Sequence, residues 1–262
     1  MKKLTFVIVL LALLAPFSRA QTLNIKVHGD KLPPAYLQRI QRNLEHQIGF
    51  FSRLGLPDTL TIHMYAFKDR DQGNKFLRQY MPTAYDKYIA GVFVPAKQIA
   101  IIPSMENMDR VNTTICHEIC HFLLHKSFGE KVRIPDCLNE GLASWYGFLN
   151  VKKNGEAQPI IDPQYLSDAK SRIQLGEVDP KSYCSLSHSK FQSDSRHDSG
   201  LTYHICCCII GTIFDAIGEK GMHQIIDGVK KGIPFSEMVN VLYPGGLDAL
   251  NDGMLKYIEK HI

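Results

Sequence analysis

The sequence predicts an α+β protein, with a small mixed sheet and helices in its first half and helices alone in its second half. Two short segments, 23–27 and 59–67, alternate between apolar and other residues as strands do. Longer segments with helical periodicity follow each of them. After residue 200 the pattern stays helical to the end of the chain, with breaks at Gly218 and at 232–234.

The individual elements are predicted from periodicity and from the residues that start and stop helices. In chain order, those of the first half are a strand at 23–27, a helix at about 34–54, a strand at 59–67, a helix near 69–80, a hairpin of 89–94 with 98–102, and helices at about 108–127 and 136–149. A polar turn is predicted at 152–158. The Ser- and His-rich segment 182–199 is predicted to be a solvated loop, with a mobile lid carrying His188 and His197 as the alternative.

The first twenty residues have the pattern of a secretory signal peptide. Lys2 and Lys3 precede a short apolar run at 4–14, and the small residues at 18 and 20 permit cleavage before Gln21. The apolar run is shorter than the roughly 20 residues that span a membrane, so a membrane anchor is the less favoured alternative. We predict an exported protein, periplasmic or secreted, and expect no integral membrane segment after cleavage.

The charge of the chain gives no case for a nucleic-acid partner. Cleavage removes Lys2, Lys3 and Arg19 and no acidic residue, so the 30 basic residues fall to 27 against 26 acidic ones. A net charge near +1 (27 minus 26) is too small to favour a polyanion or an anionic membrane.

Seven cysteines remain, at positions 116, 120, 137, 184, 206, 207 and 208. They form no paired Cys-x-x-Cys zinc pattern, and the three consecutive ones lie in an apolar helical run, which favours burial. In an oxidising compartment some of them can pair, but the sequence does not define which.

The residues with the clearest chemistry are His117, Glu118 and His121, which form the motif His-Glu-x-x-His in a predicted helix. Residues four apart lie on one face of a helix, so both imidazoles can reach one metal ion. Glu118 lies beside that face, where its carboxylate can reach a metal-bound water. Because the motif also arises by chance, the prediction of a metal site needs a third ligand.

Glu140 is the third ligand that we predict. Eighteen residues separate it from His121, and it lies in a predicted helix that begins at Pro135 and Asp136. Gly141 beside it permits the close approach of another helix. Three protein ligands with one open position are typical of catalytic zinc, so we predict one Zn²⁺ ion. The alternative is a helix pair whose His and Glu side chains are simply packed or solvated.

Together, His-Glu-x-x-His at 117–121 and Asn-Glu-Gly-x-Ala-Ser at 139–144 resemble the motifs of the gluzincin zinc metallopeptidases, aminopeptidase N and its relatives especially. More loosely, the chain is similar to the small bacterial peptidase-MA-like proteins, which have a hairpin before the zinc helix, as at 91–102, and a later helix with an aromatic start, as at 203–218. The resemblance implies a zincin-like metallopeptidase domain that hydrolyses peptide bonds.

The resemblance also implies roles for particular residues. Gluzincins have a Tyr or a His on a later helix that stabilises the oxyanion, which makes Tyr203 the candidate and His204 its rival. Glu118 corresponds to the catalytic base. Ser144 departs from the family pattern, because thermolysin-like relatives have an Asp there that supports a ligand histidine.

These observations predict a signal peptide at 1–20, an α+β zinc-binding subdomain at 21–150 and a helical subdomain at 151–262 that completes the cleft. The function that they favour is a zinc peptidase acting on peptides or proteins. A non-catalytic peptidase-like binding protein and a zinc hydrolase of a non-peptide amide are the alternatives. The strand at 98–102 is either a sheet edge to which an extended substrate adds or an ordinary core strand.

Overall fold

The structure is a computed structural model that describes residues 6–11, 22–82, 89–129 and 132–262, and it confirms the mixed α+β class. The strands are β1 (Phe6–Leu11), β2 (Thr22–Gly29), β3 (Thr59–Ala66), β4 (Val92–Val94), β5 (Ile99–Ile102), β6 (Leu149–Val151) and β7 (Ala157–Pro159). The helices are α1 (Pro34–Phe51), α2 (Arg70–Leu77), α3 (Met108–Phe128), α4 (Asp136–Phe148), α5 (Pro163–Gln174), α6 (Pro180–Tyr183), α7 (His188–His197), α8 (Ser199–Lys230), α9 (Phe235–Leu242) and α10 (Leu250–His261).

The chain packs as two units that are not consecutive in sequence. The first consists of the described residues up to Ser127 together with Leu149–Gln158. The second consists of Phe128–Phe148 and Pro159–Ile262. The His-Glu-x-x-His helix α3 therefore belongs to the first unit, and α4 packs with the C-terminal helices.

The first unit is built on a five-stranded mixed sheet in the order β1-β2-β3-β5-β4. The three central strands β2, β3 and β5 are parallel, and the two outer ones are antiparallel to their neighbours. Helix α1 follows β2 and α2 follows β3, so each helix lies in the crossover that a parallel pair requires. In β3 every second residue is buried, as the alternating pattern predicts.

The interior position of β5 shows that 98–102 is not a sheet edge, so of the two alternatives the core strand holds. Strand β5 pairs with β3 on one side and with β4 on the other, and all four of its residues are buried. Ile99 and Ile101 pack with Leu77 of α2 on one face of the sheet. Strand β4 is thus the outermost described strand on this side.

Part of the predicted signal peptide falls within the described residues. Residues Phe6–Leu11 form β1, which pairs antiparallel with β2. The segment is apolar and rich in β-branched residues, a composition that suits a strand as well as the apolar run of a signal sequence. The other residues of 1–20 lie outside the described chain, and cleavage before Gln21 stays a prediction.

A buried asparagine holds the short hairpin of β6 and β7 onto the first unit. The Asn43 amide on α1 donates to the Leu149 carbonyl at 2.7 Å, and its oxygen accepts from the Val151 backbone N–H at 3.1 Å. Asn43 is fully buried, so both amide atoms depend on these partners. Residues 152–156 of the predicted polar turn at 152–158 form the connection of this hairpin, and 157–158 belong to β7. The sequence pattern does not reveal the two strands.

The second unit is organised around α8, which packs against α4, α5, α6, α7, α9 and α10. A predicted break is confirmed inside it, where Gly218 leaves the helical conformation with φ 64°. At Gly211 an added Cβ would lie 2.3 Å from the Tyr257 ring, so this glycine lets α10 pack tightly on α8.

Helix α8 bears on the predicted absence of an integral membrane segment, which stays a prediction. Over Gly200–Lys230 it is long and apolar enough to cross a membrane, with a mean hydropathy of 1.6 in its most apolar window. However, 61% of that window is buried inside the protein, and core helices of soluble proteins meet the same criterion. The helix is therefore weak evidence for a membrane span.

The prediction of a solvated loop at 182–199 is wrong, because most of this segment is helical. Helix α7 begins after Ser187, whose hydroxyl accepts from the Lys190 backbone N–H at 3.3 Å. Helix α8 begins after Asp198, whose carboxylate accepts from the Leu201 backbone N–H at 3.0 Å. The polar residues of this segment thus serve as helix caps, a role for which Ser and Asp are well suited.

We predict that Asn43→Leu destabilises the protein, because it leaves the buried Leu149 carbonyl and Val151 N–H without their partner. The free energy of unfolding, measured by urea denaturation, should fall by about 2–4 kcal/mol. Gln41→Leu is the control, since Gln41 is exposed on the same helix and should change stability by less than about 0.5 kcal/mol. Equal losses in the two variants would contradict this role of Asn43.

Candidate metal centre

Helix α3 presents His117 and His121 together, as their four-residue spacing predicts. Their Nε2 atoms are 3.0 Å apart, and both side chains are partly buried. Much of the helix around them is fixed in the core, since Ile115, Ile119 and Phe122 are at most 1% exposed. The two imidazoles are therefore held by a rigid helix.

Glu140 completes the group. The ligand atoms of His117, His121 and Glu140 all lie within 4.8 Å of one another, and each side chain is of intermediate burial. No other group of three or more His, Cys, Asp or Glu ligand atoms within the described chain converges in this way. The structure thus brings together the three residues that the sequence predicts as metal ligands.

The geometry and the donor types of this group fit a metal ion such as zinc. Two nitrogens bound to tetrahedral zinc at 2.0–2.1 Å lie about 3.3 Å apart, and the two Nε2 atoms here are 3.0 Å apart. Two imidazoles and one carboxylate leave a fourth position open, which is the ligand arrangement of catalytic rather than structural zinc. A borderline-soft ion such as Zn²⁺ suits this mixture of nitrogen and oxygen donors.

The position of Glu140 depends on the packing of α4 against α8 in the second unit. A Cβ at Gly141 would lie 2.7 Å from the Cys206 carbonyl oxygen and 2.6 Å from Ile210, so only glycine permits this contact. Further along both helices, the rings of Trp145 and Phe214 stack with their centroids 4.5 Å apart. The two helices thus run in the same direction, and a close contact fixes α4 next to Glu140.

Glu118 is a buried carboxylate, 5% exposed, on the same helix as the two histidines. Gly91, just before β4, lies directly against it: an added Cβ would be 2.9 Å from Glu118 Oε1 and 2.3 Å from Thr114 Cγ2. The backbone at Gly91 and the stiff Thr114 side chain therefore confine the Glu118 carboxylate. Sequence reasoning does not find this role, because a single glycine before a short strand has no distinctive signal.

Strand β4 continues from Gly91 alongside α3. Its Phe93 ring packs edge-on against Phe122 at 5.8 Å and against His125 at 6.2 Å. His125 is thus a packing partner of β4. This outermost described strand passes both the buried carboxylate and the helix that carries the two histidines.

Tyr203 lies near the start of α8, on the side of the helix that meets α4. It is three residues before Cys206, which contacts Gly141, and its ring stacks on Phe191 of α7 at 6.3 Å. Because α4 and α8 run in parallel, this position is level with the beginning of α4, less than two turns before Glu140. Its role as oxyanion donor stays a prediction.

His204 is poorly suited to be the rival donor. Its Nδ1 donates a hydrogen bond to the Gly200 carbonyl, and its ring is stacked on Phe148 and Tyr165. Burial lowers the pKa of His204, which favours the neutral ring. With its one proton on Nδ1, the neutral ring has no N–H at Nε2 to offer an oxyanion.

Other residues singled out from the sequence lie elsewhere or have supporting positions. His188 Nδ1 is 3.1 Å from the Asp136 carboxylate at the start of α4, and His197 is exposed at the end of α7. Neither belongs to the metal group. Ser144 is buried on α4, one turn after Glu140.

A separate cavity of about 710 Å³ lies in the first unit, next to the end of β2 and the start of α1. Its lining is mainly apolar and includes Val27, Leu32 and Met105. None of the three metal-group residues lines it, so it is not part of the candidate metal centre.

Comparison with known proteins adds no family assignment. No protein-family model matches the chain, and no curated protein matches its sequence. Any functional role of the chain is therefore inferred from the geometry of the candidate metal centre.

We predict that the new methyl group of Gly91→Ala displaces the Glu118 carboxylate or Thr114, and that in a hydrolase that depends on Glu118 this lowers turnover. A displacement of about 1 Å can reduce a rate by about 100-fold, so we expect kcat to fall by about 10- to 100-fold with unchanged metal content. Gly49→Ala on α1 is the control, since a Cβ there meets nothing within 4 Å. Turnover equal to that of the Gly49→Ala control would disprove the proposed confinement.

Proposed function

We propose that the protein is an exported zinc-dependent peptidase of the gluzincin type, with a peptidase-MA-like fold, as its resemblance to these families implies. The observation that carries this proposal is the convergence of His117, His121 and Glu140, with the buried Glu118 carboxylate on the same helix. Structural zinc sites have four protein ligands, whereas this group has three and a neighbouring carboxylate. That combination supports hydrolysis.

In this proposal His117, His121 and Glu140 hold the ion. A zinc ion bound there would lower the pKa of its water to about 7 and would polarise the carbonyl group of the substrate. Glu118 accepts a proton from the attacking water and passes it to the leaving amine. Gly91 and Thr114 support this step because they limit the positions that the Glu118 carboxylate can take.

An extended peptide is the substrate that best fits the edge strand. Strand β4 pairs with β5 on one side, and no described strand pairs with its other side. A substrate that adds there forms main-chain hydrogen bonds without a requirement for particular side chains. The closeness of Gly91 to Glu118 supports β4, rather than the interior strand β5, as the substrate-binding strand.

Tyr203 is the proposed donor to the tetrahedral oxyanion. Its hydroxyl can donate a hydrogen bond without a change of charge, and its place on α8 is level with the start of the helix that carries Glu140. His204 is disfavoured because its ring proton is committed to the Gly200 carbonyl.

We expect Glu118→Gln to retain one zinc ion and to lose hydrolysis by at least about 100-fold, because the amide cannot accept the water proton. Glu140→Gln should instead lose zinc, since it replaces a charged ligand with a neutral one. Zinc content by elemental analysis and chelator-sensitive cleavage of a mixed peptide library measure the two effects.

Glu177→Gln, an exposed carboxylate of the second unit, is the control and should change neither quantity. Full cleavage by zinc-replete Glu118→Gln protein would refute the catalytic assignment. Wild-type protein that binds zinc but cleaves no peptide would favour a binding domain or a hydrolase of another amide.

We expect Tyr203→Phe to reduce kcat by about 100- to 1,000-fold, the usual cost of removing one oxyanion donor, while zinc content stays constant. His204→Phe preserves the ring stack with Phe148 and Tyr165 and should reduce kcat by less than about tenfold. The reverse order of the two effects would transfer the donor role to His204.

A further inference from the structure

The cavity of the first unit lies at the carboxyl ends of three parallel strands. The segments that follow β2, β3 and β5 contribute to its lining, as do the first residues of α1 and α3. Open sheets of parallel strands commonly bind ligands in a crevice at this end. The volume of about 710 Å³ is also within the range of small-ligand sites, roughly 300–1,000 Å³.

Hydrogen bonds between these segments hold the rim of the cavity in place. The Asp30 N–H donates to the Ala66 carbonyl at 2.9 Å, and the Asp30 carboxylate accepts from the Lys68 backbone N–H at 2.7 Å. The Met105 N–H donates to the Phe67 carbonyl at 2.9 Å. The three segments are therefore tied to one another through their own backbone, and the cavity is formed before any ligand binds.

The interior of the cavity is apolar and adaptable. Val27, Leu32 and Met105 line it and are at most 9% exposed. Leu37 and Met108 add further apolar surface from the starts of α1 and α3. Methionine side chains are unbranched and flexible, so they can adjust to ligands of different shape. An apolar chain or ring would displace water from this surface, which favours binding.

The charged residues of the cavity favour an anionic group on the ligand. Both acidic side chains already have partners, since Asp30 accepts from the Lys68 backbone N–H and Glu106 pairs with Arg70 at 3.4 Å. The side chains of Lys31 and Lys68 are exposed, and neither ammonium group has an ion-pair partner among the described residues. Two cations at the rim thus have no anion opposite them.

The start of α1 adds to this preference. Its N-cap residue Pro33 and its first-turn residues Pro34 and Leu37 line the cavity. The first turn contains no acidic residue, and no side chain caps it. The positive end of the helix dipole therefore lies at the cavity, where it stabilises a negative charge.

We propose that this cavity binds a small amphipathic acid, whose carboxylate is bound by Lys31 and Lys68 and whose apolar chain or ring fills the interior. The inference goes beyond the proposed peptidase activity and does not depend on it, because none of the three metal-group residues lines the cavity. No described residue of the predicted signal peptide lines it either, so cleavage before Gln21 would remove none of its described walls.

The direct test is isothermal titration calorimetry of the full chain with three probes of equal chain length: decanoate, decanol and decyltrimethylammonium. We expect decanoate to bind at one site and at least about tenfold more tightly than the other two, because hydrogen bonds to a charged group add to the burial of the chain. No measurable binding of decanoate, or equal affinities for the three probes, would overturn the proposal.

Removal of the two ammonium groups tests the role of the lysines. Lys31→Met/Lys68→Met keeps the apolar stems, so decanoate affinity should fall at least about tenfold while decanol affinity is unchanged. Lys75→Met/Lys153→Met is the matched control, since both lysines are exposed on the same unit and neither lines the cavity. An equal loss in the two double variants would show a general effect of charge and contradict the proposal.

A variant that fills the cavity tests the location of the site. Leu37→Trp should abolish binding of both decanoate and decanol while the far-UV circular dichroism spectrum is retained, and Met108→Trp serves the same purpose if Leu37→Trp does not fold. Undiminished binding by a folded variant would place the ligand elsewhere. Sedimentation velocity tests a second copy of the chain as the occupant: a dimer that binds no decanoate would also overturn the proposal.

Discussion

The contact between Gly141 and the Cys206 carbonyl is the constraint on which the position of Glu140, a candidate metal ligand, depends. A metal ligand is useful only if its helix is fixed to within a few tenths of an ångström, and α4 is fixed where it touches the central helix α8. The 2.7 Å separation from an added Cβ leaves no room for any residue other than glycine. Glu140 is the residue immediately before this contact, so its position follows from backbone packing rather than from side-chain flexibility.

The first unit also has a glycine, Gly91, at a contact that is too close for a side chain. There the missing side chain lets an edge strand pass against Glu118 and Thr114 on α3. A buried carboxylate is costly unless charge or hydrogen bonds compensate it, and a divalent cation next to Glu118 and Glu140 would supply positive charge to both. In the proposed mechanism, a bound ion would therefore stabilise the same carboxylates whose burial otherwise disfavours folding.

The sequence predicts the metal group well because its ligands obey local rules. His117 and His121 share a helix face through a four-residue spacing, and Glu140 lies in a helix whose start is marked by proline. Features that arise from packing between distant segments are not predictable in this way. The order of strands places β5 inside the sheet, and nothing in residues 98–102 encodes which neighbours they will pair with.

The wrong prediction of a loop at 182–199 has a different physical cause. Its Ser, His and Asp residues have weak helix propensity, which favours a loop when propensity alone is considered. Two of them, Ser187 and Asp198, instead accept hydrogen bonds at the starts of α7 and α8, where such residues are preferred. Tertiary contacts then decide the outcome, as the approach of His188 to Asp136 illustrates.

The choice of a peptide rather than another amide as substrate rests on β4. Many zinc hydrolases share a water-activating carboxylate, so Glu118 and the three ligands argue for hydrolysis but not for a polymer of amino acids. A strand edge, by contrast, offers backbone donors and acceptors at the spacing of an extended peptide. A compact amide could use few of these groups, whereas a peptide placed along β4 would use them repeatedly. Because Gly91 brings this strand against Glu118, the strand edge and the proposed general base would act on the same bound chain.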